Sequence, residues 1–331
     1  MLNIAVIGCG KMASDLARRS VRMGRARIAA IHDIDPKTLA EKATEFGADA
    51  EPEIERLARR EDIDAFLVGS PPLAHHANVL AVAPTGKPIY SEKPLCTTVA
   101  LCDEMIAACR AHKGKLFVGQ VLRLFPLFWK SHEILQEGIL GKPEVVSITR
   151  AEYKRHFSGG WRARKEESGG LLGETNVHEI DYMRFLMGEV ETVFAQGKNL
   201  TGWGDFDDTL FVQLQFKNGG IGMLHGSLAS PAGEYRVHIQ GTKGNLLHGG
   251  FGGELRYRAF DADAPTVITV QDMAGYPDPY DRELVSFFDW IENDTPPLFT
   301  GEIGRANVAV VEAGYRSLES GRPEPVTIPE A

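Results

Sequence analysis

Three stretches of this sequence hold residue types at spacings that can do chemistry. The first is "IYSEKPLCT", Ile89 to Thr97, where a short apolar strand-like run ends on an acid, a base and a proline. Pro94 cannot continue a strand ladder and restricts the residue before it, so the chain must turn there and fix Lys93. An ammonium held in one direction can hydrogen-bond a hydroxyl and stabilise the alkoxide that develops as a hydride leaves carbon. Without a partner motif, Glu92 and Lys93 would read as a solvated surface pair.

The second stretch is "GGLLGETNVHEIDYMRFLMG". Glu174, His178 and Asp181 stand at i, i+4 and i+7, which predicts one polar face on one helix. Val177, Ile180, Met183 and Met187 form an apolar arc that can pack inward. His178 titrates near neutral pH and can take a hydroxyl proton as hydride departs. Glu174, one turn earlier, can orient the imidazole, raise its basicity or bind a neighbouring substrate hydroxyl. A solvated Glu/His/Asp stripe would show the same spacing, but Ser168-Gly169-Gly170 lets the helix start approach something closely.

The third is "VIGCGKMA", a G-x-G-x-x-A pattern with Gly8, Gly10 and Ala13 in the small positions and Cys9, Lys11 and Met12 among them. Glycines allow a tight turn and close approach of backbone to a pyrophosphate, and a helix N-terminus supplies free N–H groups. Alone the pattern is weak evidence. Here a strand precedes it, a helix follows it, and Asp33 ends the next strand 25 positions beyond Gly8. A carboxylate there accepts hydrogen bonds from ribose hydroxyls and repels a 2'-phosphate, which favours NAD over NADP. Asp35, before Pro36, is the better helix cap, so Asp33 is the ribose candidate.

The elements that must position these residues fall into two halves. From Asn3 to about Phe117, short β-rich runs ("NIAVIG", "ARIAAIHD", "IDAFLVGS", "PIYSE", "KLFVG") alternate with amphipathic helix-length segments, as in a doubly wound parallel sheet. Lys93 then sits at a carboxyl edge, where ligands bind in such sheets. Past Leu122 the rhythm changes to a helix, a strand, a Gly-rich loop, a second helix and a series of strand-like runs separated by turns such as "KNGG" and "GTKG". Helices resume at about Arg282 to Ile291 and Glu302 to Leu318. The expected architecture is α/β, with a Rossmann domain over 1–121 and an α+β domain with a large, mostly antiparallel open sheet over 122–331.

At 331 residues the chain has room for about two cores. Its formal charge of −9, from 45 acidic and 36 basic residues, carries no electrostatic footprint for nucleic acid. No apolar run approaches the roughly 20 residues of a membrane span, and the N-terminus lacks signal-peptide character. Cys9, Cys96, Cys102 and Cys109 fit neither CxxC nor a Cys/His zinc spacing. A cytoplasmic protein without structural metal is expected.

"SEKPL" following "SPPLAH" and the first-strand glycine motif resembles the Gfo/Idh/MocA family, named for glucose-fructose oxidoreductase and inositol dehydrogenase. "GILGKPEVV", "HEIDYMRFLMG" and "DRELVSFFDWI" follow in the expected order. The resemblance implies that Glu92, Lys93 and Pro94 lie against the nicotinamide, that Lys93 contacts the reacting hydroxyl, and that the Lys93–Pro94 bond is cis. It implies that His178 is the acid/base and Glu174 its assistant. This chain departs from the family by carrying Glu174 where Asp is usual and Asn176 where Gly is common. Ser70, Pro71 and Pro72 are expected to shape the loop over the dinucleotide, with His75 beside it. Arg123, Tyr153, Arg155, His156, Trp161 and Arg162 are expected on the substrate side, with Tyr235 and Tyr280 as weaker candidates.

These readings converge on an NAD-dependent dehydrogenase of a sugar, inositol or related polyol, with Lys93 and His178 holding the hydroxyl and a homodimer or homotetramer as the assembly. Two alternatives stand beside it. One is an enzyme that retains its NAD and uses transient oxidation, as glycosidases and lyases of that kind do; the other is an NAD(H) sensor without chemistry.

Overall fold

Asp35 accepts the backbone N–H groups of Lys37 and Thr38, Pro36 occupies the first helical position, and Gly47 ends the helix in the left-handed conformation. This is helix α2 (Pro36–Phe46), and its caps lie where the sequence places them. The computed structural model describes residues 1–327; the last four residues of the expected second domain lie outside them.

Met1 to Gln120 carry six parallel strands in the order β3-β2-β1-β4-β5-β6. They are β1 (Leu2–Ile7), β2 (Ala26–His32), β3 (Asp49–Ala50), β4 (Ala65–Val68), β5 (Ile89–Ser91) and β6 (Leu116–Val118). The connecting helices are α1 (Lys11–Arg22), α2, α3 (Ile54–Ala58), α4 (Pro72–Val82) and α5 (Val99–Ala111). The strands are almost wholly buried, as unbroken apolar runs in a sheet covered on both faces must be. This is the expected doubly wound sheet, reversing its order between β1 and β4.

The same compact unit takes in 166–169 and 280–308, which a single boundary at 121/122 does not capture. Helix α9 (Pro279–Asn293) packs there: Phe287 meets Tyr90 at 5.6 Å and Phe117 at 5.5 Å between ring centroids, and Arg25 binds Asp289 and Glu292.

The second unit is built on a nine-stranded sheet ordered β14-β13-β12-β11-β7-β10-β9-β8-β15. Its strands are β7 (Pro143–Tyr153), β8 (Val190–Lys198), β9 (Thr209–Phe216), β10 (Ile221–Ser227), β11 (Ala229–Gly241), β12 (Gly244–His248), β13 (Glu254–Ala259), β14 (Thr266–Thr269) and β15 (Glu324–Pro325). All neighbours are antiparallel except β7 and β10. Helix α6 (Pro126–Gln136) and α8 (Val177–Met187) belong to this unit; the short α7 (Lys165–Ser168) and long α10 (Gly301–Ser320) pass from one unit to the other along the chain. Among the described residues no helix is long and apolar enough to cross a membrane.

Candidate active site

The glycine turn after β1 is built for backbone approach. Gly8 has φ of 77°, and a Cβ there would lie 2.5 Å from the backbone nitrogen of Ser70. A side chain would therefore meet both strain and backbone. Gly10 caps α1 without a side-chain hydrogen bond, which leaves first-turn N–H groups for a ligand. The third small position works by packing: Ala13 is fully buried, and a Cβ on Gly69 would lie 2.5 Å from its methyl carbon.

Asp33 takes one backbone N–H on each carboxylate oxygen, from Cys9 at 2.8 Å and Asp35 at 2.9 Å. Each oxygen retains acceptor capacity, so the carboxylate can accept from a pair of ribose hydroxyls. The Cys9 thiol is pushed up to about 12 by burial and by Asp33, so it stays protonated and inert. These residues fit an adenine dinucleotide.

At the end of β5, the Glu92 N–H donates to Val68 O at 2.9 Å and the Lys93 N–H donates to the carboxylate of Glu92 at 3.1 Å. Glu92 thus shapes its own turn, and the Lys93–Pro94 bond is cis, as the resemblance implies. Lys93 is partly exposed. Behind it, the Tyr90 hydroxyl donates to Glu283 of α9 at 2.7 Å, and both side chains are buried. A Cβ on Gly119 would lie 2.5 Å from that hydroxyl and 3.3 Å from a Glu92 oxygen, so the glycine leaves room for both. His75 turns both ring nitrogens to backbone carbonyls, of Ser70 on one side and of Pro94 and Leu95 on the other. Any reach of His75 to a cofactor would pass through the loop it holds.

In the second unit the expected three-residue polar face does not form. Leu171–Thr175 is a π-helical turn, closed by Asn176 N–H to Leu171 O at 3.0 Å, and α8 begins only after it. The wider turn takes Glu174 off the 3.6-residue register, a device frequent at functional sites. Glu174 pairs with Arg162 at 3.2 Å, and the Arg162 guanidinium lies 4.0 Å over the Trp161 ring.

Asp181 turns inward to Arg123, with bonds of 2.6 and 2.5 Å. Arg123, expected on the substrate side, is 8% exposed, and its guanidinium lies 4.6 Å over the Phe185 ring. Its guanidinium thus pairs with Asp181 and stacks on Phe185 within the second unit. His178 remains partly exposed, while Val177, Ile180, Met183 and Met187 are buried as expected.

A buried network beside His178 escaped the sequence reading. Glu179 is fully buried: one carboxylate oxygen accepts from Arg150 at 3.0 Å and Tyr235 at 2.7 Å, the other from Asn176 at 3.1 Å. Tyr235 thus serves the scaffold, its hydroxyl raised well above the usual range by burial and by Glu179. Tyr280 lies under the Arg19 guanidinium at 5.0 Å. Alternation in β7 was a legible signal: Val146 and Ile148 point inward, and the same face continues as Arg150, Glu152 and Lys154. Three charges on an inward face mark a site or a network. Tyr153, 50% exposed, packs edge-on to Trp203 at 5.2 Å. Arg155 and His156 are exposed, with His156 shifted down by burial and by Arg162 and Lys154.

Comparison with known proteins decides the family. Residues 2–120 match the model of the oxidoreductase family's NAD-binding Rossmann fold, and residues 132–328 match that of its C-terminal alpha/beta domain. The chain belongs to the Gfo/Idh/MocA oxidoreductase family.

Relatives within the Gfo/Idh/MocA family differ in their reactions. The chain is 32% identical over 248 residues to a 2,7-anhydro-N-acetylneuraminate hydratase of Mediterraneibacter gnavus, a match spanning 73% of this chain and 66% of that protein, just under two thirds of it. It is 29% identical over 341 residues to the myo-inositol 2-dehydrogenase of Thermotoga maritima, covering 97% of each. Among solved structures, the WlbA dehydrogenase of Bordetella pertussis in complex with NADH and UDP-GlcNAcA superposes with a TM-score of 0.90 at 21% identity, covering 99% of this chain and 98% of that one. At that identity the likeness is one of fold.

Proposed function

We propose that this Gfo/Idh/MocA oxidoreductase is an NAD-dependent dehydrogenase of a secondary or anomeric hydroxyl on a sugar, inositol or related polyol. The observation that carries the reading is the contrast along α8: Glu179 and Asp181 are sealed in buried pairs, whereas His178 stays partly exposed. With Glu179 and Asp181 paired inside the scaffold, the partly exposed imidazole is the group on α8 whose chemistry suits a proton acceptor. His178 takes the hydroxyl proton, and Lys93 donates to the oxygen as negative charge develops. Bound NAD would supply the hydride acceptor.

Glu174, Arg162, Trp161, Tyr153 and Arg155 supply hydrogen bonds and stacking to the remaining hydroxyls. Ser70, Pro71 and Pro72 cover the dinucleotide, with Glu92 shaping the Lys93 turn. Asp33 sets NAD over NADP, and the exposed face of the second sheet serves self-association as a dimer or tetramer. The test is a screen of sugars and inositols with NAD and with NADP, read as absorbance of the reduced cofactor. Reduction of NAD by at least one polyol is expected; turnover with NADP alone would overturn the role of Asp33.

The hydratase names of two relatives, from Mediterraneibacter gnavus and Escherichia coli, favour a second reading in which retained NAD is reduced only transiently. Product formed without accumulation of reduced cofactor would select it.

A further inference from the structure

His75, the fourth residue of α4, is 1% exposed, and each of its ring nitrogens lies at hydrogen-bonding distance from a backbone carbonyl oxygen. Nε2 lies 2.7 Å from the Ser70 carbonyl oxygen; Nδ1 lies 3.0 Å from that of Pro94 and 3.3 Å from that of Leu95. A neutral imidazole carries one N–H and one lone pair, so either tautomer would set a lone pair against a carbonyl oxygen at hydrogen-bonding distance. Turning the ring over would put a carbon 2.7 Å from Ser70 O, too close for contact. Only the doubly protonated ring satisfies both sides.

We infer that His75 is a buried imidazolium that acts as a positioning residue for Lys93, tying the Pro94 carbonyl to the Ser70 carbonyl through two charged donors. The positioning half rests on the role proposed for Lys93; the charge half does not. Burial opposes the charge, and charge-assisted hydrogen bonds to carbonyl dipoles counter that cost.

His76, next on α4, turns to Glu104 of α5 at 2.7 Å. Cys96 contacts Pro72 O at 3.6 Å, and its thiol and that of Cys102 are pushed up by burial, so neither brings a negative charge. Glu92 and Lys93 lie in the turn itself, and Ser70 is held from its other side by Asn78 at 2.9 Å. His75 therefore links the segment after β4 to the segment after β5, and loss of its second proton would release one of them.

The test is proton-nitrogen correlation spectroscopy of the full-length protein labelled with 15N-histidine at pH 8, where an imidazole of ordinary pKa, about 6.5, has lost its charge. One of the ten histidines is expected to keep both ring nitrogens protonated, and His75→Gln to remove that signal. A wild-type spectrum without any imidazolium at pH 8, or one whose imidazolium survives His75→Gln, overturns the inference.

The positioning half is read on His75→Gln and His75→Phe, with turnover of the best polyol expected to fall about tenfold to a hundredfold while the Kd for NAD moves less than about twofold. A Kd that rises in step with the loss of turnover would assign His75 to the dinucleotide loop instead. The spectroscopic arm needs no substrate, so failure of the dehydrogenase reading would leave it standing.

Discussion

Asp181 receives two nitrogens of Arg123 at 2.6 and 2.5 Å, in a pair whose side chains are 0% and 9% exposed. The bond joins α8, one turn after His178, to the segment just before α6. Removing one partner of a buried pair strands the other charge, so Asp181→Ala should cost about 3–5 kcal/mol of unfolding free energy. Replacing both, as Arg123→Met with Asp181→Leu, should recover most of that loss. Urea denaturation of the two variants checks it; equal instability of single and double variants would mean that packing, not charge, holds the site.

Tyr235 and Arg150 share one oxygen of Glu179. Tyr235→Phe removes a neutral donor from a buried carboxylate while keeping the ring edge-on to Phe128 and Phe251. We expect a loss of about 1–3 kcal/mol, the range for leaving one buried polar group short of a bond. Because Glu179 follows His178 in the first turn of α8, turnover should fall as well, with NAD affinity unchanged. A Tyr235→Phe variant as stable and active as the parent would reduce the network to bystander contacts.

The parallel sheet was legible because each strand is an apolar run closed by strong local signals, Gly8 after β1 and the Asp35-Pro36 cap after β2. Residues 280–308 show why the division of the chain was less so. Their amphipathic pattern marks a helix but not its partner; Glu283 meets Tyr90 across nearly two hundred residues. The π turn at Leu171–Thr175 left no trace either, since its apolar spacing also suits an ordinary helix. Asn176 is a further case: a Cβ on Gly226 would lie 2.1 Å from its side-chain oxygen, so the bulk at one position needs the absence of bulk at another. The short strands β12 and β14 carry too few alternations to stand out.

The roles of Lys93 and His178 are separable from cofactor binding. Lys93→Met and His178→Ala should each lower turnover by about 10²–10⁴-fold, the usual worth of a positioned proton-transfer group. NAD affinity, set by the Gly8–Gly10 turn and Asp33, should stay within about twofold. Titration of the cofactor by calorimetry, beside steady-state kinetics, tells the two apart. Loss of NAD binding in either variant would mean that the residue serves the cradle.

His248 ends β12, where Nδ1 accepts the Gly250 N–H at 3.0 Å and the ring stands edge-on to Phe128 at 4.9 Å. Burial lowers it from the usual 6.5 to about 3, so the folded protein keeps it neutral while the unfolded chain protonates it near pH 6.5. Between these values the unfolded state binds the extra proton, so this group's contribution is fully present above pH 6.5 and is lost as pH falls toward 3. The slope is at most about 1.4 kcal/mol per pH unit. His248→Leu should flatten the acid side of the stability profile while costing about 1–3 kcal/mol at neutral pH, where the Gly250 N–H loses its acceptor. Urea midpoints from pH 4 to 7 for parent and variant measure both effects; parallel profiles would show that other groups govern the acid limb.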